Sequence, residues 1–240
     1  MPTKPELSIL IPIYNASTIL PMHVRKLLDY LNRTPYAFEV LLRDDKSTDH
    51  SLEQLKEFVH KDQRVKVFHN TCNRGLGYTL NRLIGAAQGK TLVYCDIDFP
   101  YSWKTMDDIL RQVKTFDVVV ASRYLEAAHG HVQWYRKLAS RMYYLLCRAL
   151  FRVQVQDIGS GLVAFNEKTK ERVHTRARGF DFHVEFFARA RRQGLSVKEI
   201  PGEISEHNQM HSFLIWQHGP GVLFRTIQLW VKLFDESPLS

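Results

Sequence analysis

The sequence predicts an α/β domain with a mostly parallel central sheet and helices on both faces, on three observations. Short runs rich in Val, Ile, Leu and Phe alternate with helical patterns from residue 7 to residue 124. Several of these runs are apolar almost throughout, as strands buried on both faces are. Polar and charged residues gather directly after each run, at the end where open parallel sheets collect ligands.

The elements follow in order. "LSILIPIY" (7–14) reads as a buried strand, and "STILPMHVRKLLDYLNR" (17–33) as a helix with Ser17 or Thr18 near its cap. "FEVLLRDD" (38–45) is the second strand and "STDHSLEQLKEFVHK" (47–61) a capped helix. "RVKVFHN" (64–70) is the third strand, followed by the helical "LGYTLNRLIGAAQG" (76–89). "TLVYCDID" (91–98) is the fourth, a helix occupies about 104–115, and "DVVVASRY" (117–124) is the fifth strand. Beyond these lie a basic amphipathic segment (131–152), "VQVQDIGSGLVAFN" (153–166), a helical "FDFHVEFFARARRQG" (180–194) and a strand-like "SVKEIPGEI" (196–204). No Pro/Gly/Ser linker separates the two halves, so residues 1–212 read as one unit. Residues 213–240 read as a C-terminal amphipathic segment.

The chain has 240 residues, 45% hydrophobic and 24% charged, which excludes a disordered tract or a fibre. With 33 Lys+Arg against 25 Asp+Glu, its net charge of +8 favours anionic partners. Nucleic acid is the generic choice, but no aromatic-basic platform supports it. Three scattered cysteines without a C-x-x-C pair argue against a disulfide framework or thiolate zinc site, and for a reducing compartment. "MPTKPELS" has no apolar h-region, and no run of 18 apolar residues occurs. A cytoplasmic location is the expectation.

The chemistry concentrates at the strand ends: Pro12, Tyr14 and Asn15; Asp44 and Asp45; "NRGLG" (73–77); Asp96 and Asp98; Arg123. Burying a lone carboxylate costs several kcal/mol or forces it to hold a proton. Two aspartates in D-x-D spacing can instead share a hard divalent cation, Mg²⁺ or Mn²⁺, completed by phosphate oxygens and water. Alternatively, they cap the next helix or face solvent. Gly75 and Gly77 serve a phosphate cradle or a strand-to-helix turn equally well. His129 and His131 read as a solvent-facing loop, Glu185 as a helix-face carboxylate paired with an arginine, and Cys95 as a small core residue.

In this order, "SILIPIYNAS", "RDDKSTD", "NRGLGYTLNRLIGAAQG", "CDID" and "ASRY" resemble the family-2 glycosyltransferases of the GT-A fold. "YRKLASR", "QDIGSGLVAF" and "GFDFHVEFFARARRQGLSVKEIPGEI" narrow the likeness to dolichyl- or polyprenyl-phosphate sugar transferases. The resemblance spans residues 7 to 204. It implies that Pro12 and Tyr14 line the base and ribose pocket, and that Asp44 and Asp45 accept from nucleobase and ribose. Asp96 and Asp98 hold the cation of a GDP- or UDP-sugar donor. Arg123 binds phosphate, Arg136 and Ser140 lie near the acceptor phosphate, and Asp157 sits near the reaction centre. An inverting, metal-dependent hexosyl transfer to a polyprenyl phosphate is the implied activity. Departures cluster on the phosphate and acceptor side. Ala16 replaces Glu, Lys46 a glycine, Pro100 a polar residue and Val163 an arginine. "HNQMHSF" (207–213) replaces a Gly/Lys-bearing loop, with His207 and His211 as conditional cations. They leave room for a saccharide acceptor, or for a catalytically weak nucleotide-sugar-binding subunit.

Two amphipathic stripes bear on partners. Leu138, Met142, Leu145, Leu146 and Ala149 form one, flanked by arginines; Leu223, Phe224, Ile227, Trp230, Val231 and Phe234 form the other. Core packing, a homodimer contact or a membrane-anchoring subunit would cover them. A membrane interface suits them also, and makes the expected enzyme peripheral on a cytosolic membrane face.

Overall fold

The structure is a computed structural model describing residues 4–125, 134–204 and 215–235. Seven strands form one sheet: β1 (Leu7–Ile13), β2 (Phe38–Asp44), β3 (Val65–His69), β4 (Thr91–Cys95), β5 (Val118–Ser122), β6 (Leu162–Asn166) and β7 (Val197–Pro201). Their order is β3-β2-β1-β4-β6-β5-β7. All neighbours are parallel except β6, which lies antiparallel between β4 and β5. Register is fixed by pairs such as Ile13↔Asp44, Cys95↔Leu162 and Ser122↔Pro201.

The helices are α1 (Leu20–Leu31), α2 (Ser51–Lys61), α3 (Leu76–Ala86), α4 (Trp103–Gln112), α5 (Trp134–Phe151), α6 (Glu167–Arg172), α7 (Phe182–Arg192) and α8 (Ile215–Asp235). One core packs α1, α2 and α4 on one face of the sheet, through Leu20, Val24, Leu27, Leu55 and Met106. The other packs α3, α5, α7 and α8 through Leu80, Leu83, Cys147, Phe187 and Leu229. A sheet covered on both sides explains why β1 and β5 are nearly apolar runs without alternation.

Two helix starts differ from the sequence expectation. Pro21 seats the first turn of α1, whose cap position is Ile19, without a side-chain cap. Ser17 instead donates its backbone N–H to Asp49 Oδ2 at 3.0 Å. The second helix starts at Ser51 after an uncapped His50, because Asp49 turns the preceding chain by accepting from Ser51 N at 3.0 Å. The short α6 was not expected; Asn166 caps it by accepting from Thr169 N at 2.9 Å. His129, His131, His207, His211, Ser212 and Phe213 lie outside the described residues.

Candidate functional site

The strand ends build two acidic pairs and one ion-paired cluster. Asp44 ends β2 and is buried; Ser47 N approaches its carboxylate at 3.1 and 3.3 Å, closing a turn around Lys46. Lys46 takes the left-handed conformation, φ 62°. A non-glycine residue bears a cost there of about 1 kcal/mol. Asp45 has both oxygens engaged: Asn70 Nδ2 (2.6 Å) and Arg74 N (2.8 Å) donate to Oδ1, and Gly75 N (2.7 Å) to Oδ2.

That network decides between the two readings of "NRGLG". Gly75 has φ 88°, and a Cβ at Gly75 or Gly77 would collide with the backbone carbonyl of Arg178 or Ala177. Gly77 N and Tyr78 N both donate to Arg178 O. With the amides of residues 74, 75, 77 and 78 all satisfied internally, the glycines serve a tight turn docked on a neighbouring loop. Those four amides are not available to a phosphate.

Asp96 and Asp98 follow β4. Asp96 N donates to Gly161 O at 3.0 Å, and Tyr94 Oη donates to Asp96 Oδ1. Successive strand residues of one parity share a face, which is how Tyr94 reaches Asp96. Gly161 has no Cβ because Asp96 Oδ2 occupies the space one would need. Burial, and then the neighbouring Asp98 carboxylate, push Asp96 up to about 6. The left-handed Phe99, φ 44°, carries the chain from this pair into α4.

The third group joins β5 to the loop before β6. Arg123 grips Asp157 from Nε to Oδ2 and from Nη2 to Oδ1, both 2.8 Å, and its backbone N donates to Oδ2 at 3.0 Å. Burial opposes the guanidinium's charge, but Asp157 outweighs it and holds Arg123 well above its usual pKa. Asp157 N donates to Glu199 Oε1 at 2.9 Å, and Tyr101 Oη lies 3.2 Å from Asp157 Oδ2. Such a fork fixes both partners in plane.

The structure therefore places Asp44, Asp45, Asp96, Asp98, Arg123 and Asp157 along one end of the sheet. Pro12 lies within β1, paired with Arg43, and Tyr14 is 52% exposed just past it. Ser140 Oγ donates to Tyr124 Oη at 2.8 Å, tying α5 to the end of β5. Arg136 belongs to α5, but its side chain lies outside the described residues. Glu185 accepts from Arg176 N, Ala177 N and Arg189 Nε, a loop-holding role. Sequence reading missed Tyr94, Asn70, Tyr101, Gly161 and Glu199. The period-two spacing of Tyr94 and Asp96 was the one local signal available. Among the described residues no group of three or more His, Cys, Asp or Glu side chains is arranged to hold a metal. Two crowded carboxylates still fit a cation that takes its remaining ligands from phosphate and water.

This sheet order, with acids at its carboxyl end, defines the GT-A class of nucleotide-diphospho-sugar transferases. The pattern of glycosyl transferase family 2 matches residues 8–173, and the chain belongs to that family as a glycosyltransferase. It is 28% identical over 200 residues to the undecaprenyl-phosphate mannosyltransferase of Micrococcus luteus, covering 80% of each protein. It is 28% identical over 202 residues to the glycosyltransferase AglD of Haloferax volcanii, covering 82% of this chain but only 32% of that one. Among solved structures, a Pyrobaculum calidifontis mannosyltransferase in complex with GDP-Man and Mn²⁺ superposes with TM-score 0.62. It is 18% identical and covers 95% of this chain and 66% of that one. Glucosyl-3-phosphoglycerate synthase from Mycobacterium tuberculosis, with Mn²⁺, UDP and glucosyl-3-phosphoglycerate, gives 0.65 at 15% identity, covering 93% and 77%.

Proposed function

We propose that this chain transfers a hexose, with inversion, from a GDP- or UDP-sugar to a polyprenyl phosphate at the cytosolic surface of a membrane. One observation carries the reading: Asp96 and Asp98 are crowded at the end of β4, where burial and mutual repulsion raise Asp96 to about 6. That repulsion is relieved by a divalent cation, Mg²⁺ or Mn²⁺, which Asp96 and Asp98 would hold. When bound, such a cation neutralises the charge of a departing diphosphate.

The chain's own residues supply the rest. Pro12 and the exposed Tyr14 frame one wall of the base pocket, and the turn after β2, shaped by Asp44 and Asp45, frames the other. Arg123, held in plane by Asp157, presents fixed positive charge to phosphate. Its Nη1 is the guanidinium nitrogen not engaged with Asp157 or Gly159 O. Because Asp157 spends both oxygens on Arg123, it positions that arginine and takes no proton. None is required: a phosphate acceptor is already anionic, so its oxygen attacks C1 as the C1–O bond to the diphosphate breaks. The nucleoside diphosphate leaves with the electron pair. Positioning and charge neutralisation carry the rate.

The relative from Micrococcus, named for undecaprenyl phosphate, supports the lipid acceptor. The outer faces of α5 and α8 support the membrane. Leu138, Met142 and Leu145 are exposed on one, Phe224, Ile227 and Val231 on the other, and Tyr143 Oη meets Thr226 Oγ1 at 2.8 Å between them. No helix among the described residues is long and apolar enough to cross a membrane. In this reading α8 and its flanks, residues 213–240, lie in the interface beside the catalytic unit, residues 1–212.

Calorimetric titration of GDP and UDP, with and without Mn²⁺, tests the donor site on the wild type and Asp96→Ala. One nucleotide binding only with metal, and not to the variant, supports it; no binding of either sinks it. Organic extraction of labelled product then separates a lipid acceptor from a saccharide.

A further inference from the structure

The far ends of α5, α7 and α8 converge on a cavity of about 490 Å³. Arg152, Arg191 and Arg192 line it beside Phe151, Trp230 and Leu233, and among the described residues no carboxylate does. Helix carboxyl termini attract cations, and that accounts for one arginine: Arg192 Nη2 donates to Leu233 O at 2.6 Å, capping the last turn of α8. Arg152 and Arg191 are exposed and form no ion pair among the described residues. Arg152 also sits at φ 57°, just past α5, where helices usually place glycine or asparagine. An arginine held there at a conformational cost has a side chain that its backbone position alone does not explain.

We propose that this cavity binds the phosphate of an anionic lipid headgroup. The proposal rests on the reading that the α5–α8 face lies on a membrane. The exposed apolar rows of the two helices dip below the headgroups, and Arg152 and Arg191 meet phosphate at their distal end. The tryptophan of the cavity suits the same depth, with an apolar body and a polar edge. Guanidinium forks match phosphate oxygens in pairs, whereas a lysine would act as a point charge. The cavity is not the acceptor's site. The α5 helix, about 27 Å long at 1.5 Å per residue, separates it from Ser140 and the strand ends by most of its length. Occupying it therefore anchors and orients the enzyme without competing for the acceptor phosphate.

The test is co-sedimentation of the full chain with vesicles of phosphatidylcholine alone, and with vesicles that also contain phosphatidylglycerol. The variant is Arg152→Gly/Arg191→Gln. The control is Lys26→Gln/Arg33→Gln, which removes the same charge from α1 and the turn after it, on the opposite face of the sheet. At roughly fivefold per arginine near an anionic surface, the variant should bind phosphatidylglycerol vesicles about 25-fold more weakly. The control should stay within about twofold, and phosphatidylcholine binding should not change. Equal losses in variant and control reduce the effect to net charge and overturn the proposal, as does an unchanged variant. A wild type that sediments with neither vesicle overturns the membrane reading beneath it. Wild-type binding to both vesicles alike leaves that reading standing and removes the headgroup site. Titration with inorganic phosphate separates the sources: tight binding without vesicles, lost in the variant, reassigns the cavity to a soluble phosphate. Because glycine fits the left-handed position and Arg191 is exposed, the variant should melt no lower than the wild type. Arg191→Gln alone should show about a fivefold loss.

Discussion

Two pairs of aspartates occupy equivalent places, one after β2 and one after β4, yet the fold treats them oppositely. Asp45 is surrounded by donors, Asn70 Nδ2, Arg74 N and Gly75 N, and Asp44 receives Ser47 N. These contacts hold the turns after β2. Asp96 receives one donor to its carboxylate, Tyr94 Oη, and faces Asp98 across the D-x-D spacing, so its ionised form is strained. Residue type and topological position are shared; the supply of N–H groups differs. Asp45 is tied into its turn, and in the proposed reading Asp96 and Asp98 keep the negative charge that a cation would neutralise.

The contrast is open to attack from several sides. The largest effect belongs to Asp96→Ala, expected to reduce metal-dependent nucleotide binding and transfer by at least about a hundredfold while leaving the fold intact by circular dichroism. Next comes a pH effect from the residue behind the second pair. His183 is buried against Tyr94, its Nε2 has no hydrogen-bond partner, and burial pushes it down to about 4. Below pH 6.5 the unfolded chain takes a proton that the folded chain refuses until about pH 4. Stability is therefore full above pH 6.5 and falls across that window by on the order of 3 kcal/mol. Urea midpoints measured from pH 7 to 4 should show the fall, and His183→Leu should flatten it. Asp45→Asn should cost about 2 kcal/mol in urea unfolding, from weakened hydrogen bonds to a charged acceptor. Once folded, that variant should retain metal-dependent binding; if its metal dependence vanishes instead, the two pairs are not functionally distinct. Tyr94→Phe should weaken Mn²⁺ binding about tenfold by calorimetry, because Asp96 loses the hydroxyl that orients it. The smallest change is Lys46→Gly, expected to stabilise by up to about 1 kcal/mol as the left-handed strain disappears.

The apolar runs of β1, β2, β4 and β5 were plain in the sequence, since burial on both faces imposes composition residue by residue. So were the acids at their ends. The direction of β6 was not, because nothing within "LVAFN" encodes whether its neighbours run with or against it. The six-residue α6 is too short for periodicity and depends on Asn166. Nor could the sequence show that Arg123 and Asp157, 34 positions apart, close on each other. The glycines of "NRGLG" stayed ambiguous because their reason is the carbonyl of Arg178, a hundred residues downstream along the chain.

The antiparallel β6 has a mechanical consequence. It is hydrogen-bonded to β4 on one side and β5 on the other, so the sheet runs unbroken beneath both the Asp96 side and the Arg123 side. Among the described residues, no break in the sheet separates its halves. In the proposed reading, the sheet itself sets the spacing between donor and acceptor once, when the chain folds.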